Sequence, residues 1–434
     1  MKRSALFCNI ILSAMLLGAC KGPSTPDVEP TPEPTAVVEA TPTEAPAEPT
    51  PTESAPEPTE AEEEGPISVH FTGSATIPDT EAMNFTKDMC VGWNLGNSFD
   101  AIDCDWLSDE LDYEDAWCQA KASYELISTL KEAGFKTIRI PVSWHNHVDA
   151  NNKISGPWLD RVEEVVKMAY DEGFYVILNI HHDEEQFYPS YAKLDKSLKY
   201  VKDIWKQLAE RFADYDEHLI FETMNEPRQV GMDYEWWIND TSADYAKESF
   251  DCINQLNQAA VDAIRGNGKG FNLSRYIMVP GYCASTYFTA IDDFVLPEDS
   301  GEENRLIISI HAYTPYEFAL NTSGTTAFSI DKKQGTADID DFVRKLYQKF
   351  TAKGIPVVLG EWGALDKDNY DARLEHAAYF VYVCAHYGIP TVYWDNNAYQ
   401  TDGENFQLID RSTLEWRFPE LKDQIIFSAN EEQK

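Results

Sequence analysis

Glu226 and Glu361 are the two residues of this 434-residue chain whose setting suggests covalent chemistry. Each lies at the end of a short apolar run, His218-Leu-Ile-Phe before the first and Ile355-Pro-Val-Val-Leu-Gly before the second. Two carboxyl groups held about 5 to 5.5 Å apart, one protonated and one ionised, hydrolyse a glycosidic bond with retention of configuration. In that chemistry burial and the field of Glu361 are expected to keep Glu226 protonated. Once Glu361 is glycosylated its charge is gone, and Glu226 is free to act as base. Glu222 competes for the acid role, but its offset of four positions from Glu226 places it deeper in the structure. Other polar residues end similar runs: Asn94, Arg139, His181 with His182, Asn225, His311 with Tyr313, and Trp394 with Asp395. A single buried Glu or His at such a place is more often a structural hydrogen-bonding group. The recurrence is what points to a site, because each buried charge costs free energy unless it is paired or used.

The elements that must carry these residues repeat one arrangement from about Glu81 onward. An amphipathic helix is followed by a glycine and then an apolar strand, most clearly around Gly134, Gly173, Gly354 and Gly388. A helix C-terminus favours glycine because the next residue takes positive φ. Before Gly173 the pattern predicts a helix with Pro157 in its first turn and Trp158, Leu159, Val162, Val165, Val166, Ala169 and Tyr170 on one stripe. Eight strands are expected, near residues 91, 138, 177, 220, 277, 308, 358 and 392. They are apolar throughout rather than alternating, as strands buried on both faces must be. The expected fold class is therefore α/β, a (β/α)8 barrel with its chemistry at the strand C-terminal ends. A doubly wound sheet is the alternative, since periodicity does not show closure.

Ahead of this region the chain is of another kind. Lys2 and Arg3, an apolar run from Ala5 to Leu17, and Leu-Gly-Ala-Cys20 read as a secretory signal. The stretch from Gly22 to Pro66 holds 12 of the 23 prolines and 12 acidic residues, with no Phe, Tyr or Trp. Such a composition cannot offset its ordering entropy and reads as an extended spacer. The expected organisation is a signal peptide over 1–19, a linker over 20–80, a catalytic barrel over 81–428 and a tail over 429–434. A cut before Glu81 is accordingly expected to leave activity on soluble polymer intact. The formal net charge of -39 makes nucleic acid and anionic lipid surfaces poor partners. Of eight cysteines, six lie in the barrel region without a C-x-x-C, and Cys104 with Cys118 is the closest pair. The His181-His182 pair invites a metal reading, set aside because adjacent strand residues point to opposite faces and no H-E-x-x-H occurs. No cofactor or metal is expected, no separate binding module is expected because no second folded region is left over, and a monomer is expected.

Together the motifs Val-Gly-Trp-Asn94-Leu-Gly-Asn97, Ile-Arg139-Ile-Pro-Val, Asn179-Ile-His181-His182-Asp-Glu, Phe-Glu-Thr-Met-Asn225-Glu226-Pro-Arg, Ser-Ile-His311-Ala-Tyr313 and Gly-Glu361-Trp-Gly resemble glycoside hydrolase family 5, most closely its subfamily 4. The resemblance implies Glu226 as acid/base, Glu361 as nucleophile, Asn225 as a partner of the sugar 2-hydroxyl, and Arg139 and Tyr313 as residues that hold Glu361. It further implies that His181, His182 and His311 line the catalytic subsite, with Asn94 also on the substrate side and Trp394 as a platform under the ring. Trp236 and Trp237, in the loop after Glu226, are candidates for an outer subsite, although ordinary packing is an equal reading of any one loop aromatic. Tyr393-Trp394-Asp395-Asn396-Asn397 departs from the family, which often has Trp and Gly at the outer positions. Leu-Gly-Ala-Cys20 resembles a lipobox and implies lipid attachment at Cys20, hence a membrane contact through the anchor alone and a place at the outer face of a bacterial membrane. The implied activity is endo-acting cleavage of β-1,4-glucan, be it cellulose, mixed-linkage glucan or xyloglucan. Xylan or mannan hydrolysis on the same scaffold, and a surface lipoprotein that grips glycan without cutting it, are the other readings.

Overall fold

The computed structural model describes residues 65–431. The expected signal peptide, Cys20 and almost all of the spacer lie outside the described residues, as do 432–434. Eight parallel strands close on themselves in chain order: β1 (Val91–Leu95), β2 (Thr137–Ile140), β3 (Tyr175–Asn179), β4 (Leu219–Glu222), β5 (Ile277–Ser285), β6 (Leu306–His311), β7 (Val357–Trp362) and β8 (Thr391–Asp395). β8 pairs with β1 through Val91↔Thr391 to Leu95↔Asp395, which closes the barrel and excludes an open doubly wound sheet. The strands are buried almost throughout, so their uninterrupted apolar runs are the sequence signature of a sheet covered by helices outside and by its own side chains inside.

The helix–glycine–strand punctuation holds. Gly134, Gly173, Gly354 and Gly388 all have positive φ, between 72° and 106°. Helix Gly156–Asp171 carries Pro157 in its first turn and buries Trp158, Val162, Val165, Val166 and Ala169, while Leu159 and Tyr170 are half-buried at the stripe's edges. Strand register decides which polar residues share a level. Asn94 stands opposite Arg139 and Trp394, Asn179 opposite Glu222, and His311 opposite Glu361. A small hairpin, Ile409–Asp410 with Glu415–Trp416, follows β8 and was not foreseen from the sequence.

The domain boundary at residue 81 needs correction. Residues 67–80 form a strap across the outer helices. The Ile67 backbone exchanges two hydrogen bonds with the buried Gln424 amide, at 2.7 and 3.0 Å. Val69 is buried, Phe71 packs edge-on against Tyr379, His386 and Tyr387, and Thr76 N donates to the Tyr347 hydroxyl at 2.9 Å. Composition hid this because the strap's apolar residues are sparse and find partners far along the chain. At the other end, helix Pro419–Glu431 runs into the expected tail and buries Ala429. A chain starting at residue 65 should unfold at the same temperature as the full protein. One starting at Glu81 should lose roughly 3–5 kcal/mol, the transfer free energy of Val69, Phe71 and Ile77. Calorimetric melting of the two truncations checks this, and equal transition temperatures would put the boundary back at 81.

Candidate active site

Arg139, fully buried on β2, is the hub beneath the barrel mouth. Its Nε donates to Glu222 Oε2 at 2.8 Å and one terminal nitrogen to both Asn94 Oδ1 at 3.0 Å and Glu361 Oε1 at 2.7 Å. The other terminal nitrogen reaches Asn225 Oδ1 at 2.8 Å and lies 2.7 Å from Glu222. Glu222 also accepts from Asn179 Nδ2 and Ser309 Oγ and is fully buried. A buried charge survives only with its bonds complete, and this one is complete. Glu222 is thus a support of Arg139, deeper than Glu226, as the four-residue offset implied.

Asn94 is a correction. It is fully buried, its Nδ2 is spent on the carbonyls of Gly360, Val392 and Tyr393, and its Oδ1 is held by Arg139. Pointing into the barrel below the mouth, it positions Arg139 and has nothing left to offer a substrate. For Asn225 the opposite holds. Because Arg139 takes its carbonyl oxygen, its amide NH2 is the end turned to other partners, the donor a sugar hydroxyl needs.

Glu361, on β7, is fixed from two further sides: Tyr313 donates to Oε2 at 3.1 Å and His311 Nδ1 stands 3.5 Å from the same oxygen. Glu226, four residues past β4, has Oε1 at 2.8 Å from that His311 Nδ1. One oxygen of each carboxyl and the imidazole nitrogen all lie within 4.8 Å of one another. This separation matches the short spacing of retaining glycosidases and falls well under the ~6.5–9.5 Å that leaves room for a water in inverting ones. Burial works against charge on His311, but Glu361 and Glu226 outweigh it and raise its pKa above the ordinary 6.5. Burial likewise raises Glu226, yet the His311 contact and charge, with help from Arg228, bring it below the usual carboxyl value. The proton expected on Glu226 therefore rests, in the free site, on the His311 side of a 2.8 Å hydrogen bond. The sequence expectation weighed burial and Glu361 and left out the imidazole. The pair titrates as a unit, one short transfer from the protonated acid.

The walls follow the expected list in part. Trp394 on β8 lies parallel to the His181 ring, 2° between planes and 5.9 Å between centroids. His181 is kept neutral by burial and by the neighbouring His182 and Arg139 charges, while Glu184 and Asp100 outweigh burial to raise His182. The argument that His181 and His182 face opposite ways fails: β3 ends at Asn179, the alternation ends with it, and the two rings sit 4.4 Å apart. Asp100 joins them, with donor atoms of all three within 4.8 Å. Trp236 and Trp237 are exposed, at 57% and 53%, whereas Trp144 is fully buried and donates its indole N–H to Asn179 O. Cys104 and Cys118 are not joined to each other, and their thiols lie against backbone carbonyls.

Several contributors escaped the sequence reading. Arg228 pairs with Glu184 at 2.6 Å, and only its place directly after Asn-Glu-Pro signalled it. Glu404, exposed on the loop after β8, has its carboxyl raised by the surrounding cleft and by Glu226 and Glu361, so it stands within the field of the site. In the departing segment, Asn397 takes φ +57°, the left-handed conformation that Gly or Asn tolerates. Asp395 is buried and bonded to Arg411.

A closed parallel barrel carrying an imidazole-bridged carboxyl pair at its mouth defines a glycoside hydrolase. Residues 100–400 match the family model described as cellulase, glycosyl hydrolase family 5. Endoglucanase A of Clostridium longisporum is 43% identical over 352 residues, which span 80% of this chain and 65% of that protein. Endoglucanase 1 of Ruminococcus albus is 41% identical over 362 residues, 83% of this chain and 84% of that one. Among solved structures, a family 5 lichenase from a Caldicellulosiruptor species, also solved as a mutant with cellotetraose, is 48% identical with TM-score 0.82 over 84% of this chain and all of that one. A GH5-4 broad specificity endoglucanase from Ruminococcus champanellensis with bound cellotriose is 40% identical with TM-score 0.75 over 81% of this chain and all of that one. The chain belongs to glycosyl hydrolase family 5, the cellulase family.

Proposed function

We propose that this enzyme cuts β-1,4-glucan internally with retention of configuration, with Glu226 as acid/base and Glu361 as nucleophile. The observation that carries the reading is the carboxyl pair within 4.8 Å, bridged by His311 and seated on Arg139. In the first step Glu361 attacks the anomeric carbon as the His311–Glu226 pair delivers its proton to the departing glycosidic oxygen. This leaves a glycosyl ester on Glu361. Esterification removes the Glu361 charge, and Glu226 then takes a proton from the water that attacks the same carbon, which frees the carboxylate. Asn225 offers its amide to the 2-hydroxyl, an interaction that strengthens in the oxocarbenium-like transition state. Trp394 and His181 receive the sugar that becomes esterified, and Trp236 and Trp237 take more distant sugars. A grip without cleavage has no use for so complete a pair.

The glucan range includes mixed-linkage glucan and xyloglucan, a breadth in keeping with the lichenase and broad specificity neighbours. Export as a lipoprotein anchored at Cys20, with a spacer that lets a monomeric barrel reach polymer away from the membrane, rests on the sequence before residue 65. The test is a rate comparison across β-glucan, xyloglucan, carboxymethyl cellulose, xylan and mannan, with the anomer of the first product read by NMR. Release of β-anomer from glucans supports the reading. Release of α-anomer, or hydrolysis of xylan or mannan alone, overturns it.

A further inference from the structure

Arg228, two residues after Glu226, has a side chain only 10% exposed although its loop lies at the barrel mouth. Two of its three guanidinium nitrogens are held. One terminal nitrogen lies 2.6 Å from Glu184 Oε1 and donates to the Glu226 carbonyl at 3.1 Å, and Nε donates to Glu235 Oε1 at 3.1 Å. Glu235 Oε2 in turn accepts from Gly231 N at 2.8 Å, so the loop from 228 to 235 is closed upon the guanidinium. Its flat face is covered by the indole of the next residue, Trp236, with Cζ 4.0 Å from the ring centroid. The same terminal nitrogen lies 4.0 Å from Glu226 Oε2, the oxygen that His311 does not hold.

Two things thereby share one support. Trp236 is 57% exposed, and an indole that projects so far into solvent needs something to fix its angle before a sugar can stack on it. The guanidinium supplies that by cation–π contact and by its rigid planar fork. β4 and β8 are four strands apart in an eight-stranded ring, so the loop after β4 faces the Trp394 platform across the mouth. With the esterified sugar on the Trp394 side, the sugar over Trp236 belongs to the part of the polymer that leaves with the proton from Glu226.

We propose that Arg228 is a positioning residue that ties the leaving-group platform, Trp236, to the acid/base Glu226, so that the leaving sugar is seated and protonated by parts of one assembly. This rests on the roles proposed above for Glu226 and for the loop. Losing the cation removes a positive charge beside Glu226 and leaves Glu184 and Glu235 facing it, and both changes hold the pair's proton more tightly.

The experiment compares β-glucan with 2,4-dinitrophenyl β-cellobioside, whose leaving group carries no sugar and needs no proton. In Arg228→Gln, kcat/KM on glucan should fall about 10- to 100-fold, the scale of impaired acid assistance, and the aryl substrate should change by less than about threefold. The alkaline limb of kcat/KM should move to higher pH. Arg228→Lys keeps the charge but not the flat face, so it should restore the limb and still show the glucan-specific loss. Trp236→Ala, exposed and safe for folding, should reproduce the glucan loss with the limb unmoved, and adding it to Arg228→Gln should cost little more. Equal losses on both substrates in Trp236→Ala and Arg228→Gln, or an unmoved limb in Arg228→Gln, overturn the proposal while the enzyme reading stands. A wild-type enzyme that cleaves neither substrate overturns both.

Discussion

Glu361→Ala should reduce turnover of soluble glucan by about 10⁴-fold or more, and added azide should restore it with an α-glycosyl azide as product. The alanine leaves a carboxymethyl-sized gap where the attacking carboxylate stood, between Arg139 at 2.7 Å and Tyr313 at 3.1 Å. A small anion fits there and attacks the anomeric carbon from the face that Glu361 used. The azide adduct has no ester for water to displace, so one inversion stands uncorrected. Glu222 and Asn225 still hold Arg139, and the fold should survive, which circular dichroism verifies. Activity within about tenfold of wild type would remove Glu361 from the nucleophile role.

Glu226→Gln should behave in the complementary way. Glucan hydrolysis should fall about 10²- to 10⁴-fold, whereas a dinitrophenyl cellobioside should still esterify Glu361, because its leaving group departs without a proton. The ester then accumulates as a burst, since no base activates water, and azide should discharge it with β-configuration. The wild-type pH profile has a definite sign. Glu226 is lowered and His311 raised, so the shared proton is present at low and neutral pH and is lost as pH rises through the raised imidazole value, above 6.5. The alkaline limb of kcat/KM on glucan should lie there and should vanish in Glu226→Gln. Persistence of the same limb in that variant would show that another group supplies the proton.

That pairing of His311 with Glu226 marks where reading the chain reached its limit. The eight apolar runs and the glycines after their helices were local signals, and each was enough to place a strand within a few residues. Glu226, just past β4, and Glu361, near the end of β7, stood out for the same reason, and the roles proposed for them rest on the motifs around them. Asn94 had the same kind of signal and a different fate. Its motif placed it on β1, but whether it faced the cleft or the layer beneath Arg139 depended on the register of β1 against β2 and β8. The strap over residues 67–80 was missed because its partners lie more than 270 positions away, at Tyr347 and Gln424.

Periodicity, turn chemistry and motif are properties of neighbouring residues, so the linear chain already carried the eight strands in their order and marked out the two carboxyls proposed for catalysis, while closure of the barrel waited on the pairing of β8 with β1. Folding alone set which way the proton of the His311–Glu226 pair leans, that Glu222 and Asn94 serve Arg139, and that Arg228 stands between Trp236 and Glu226. Those outcomes hang on distances of 2.6 to 4.0 Å between side chains from different strands and loops. Electrostatic and hydrogen-bond energies change steeply over such distances, and nothing in the linear order of residues fixes them.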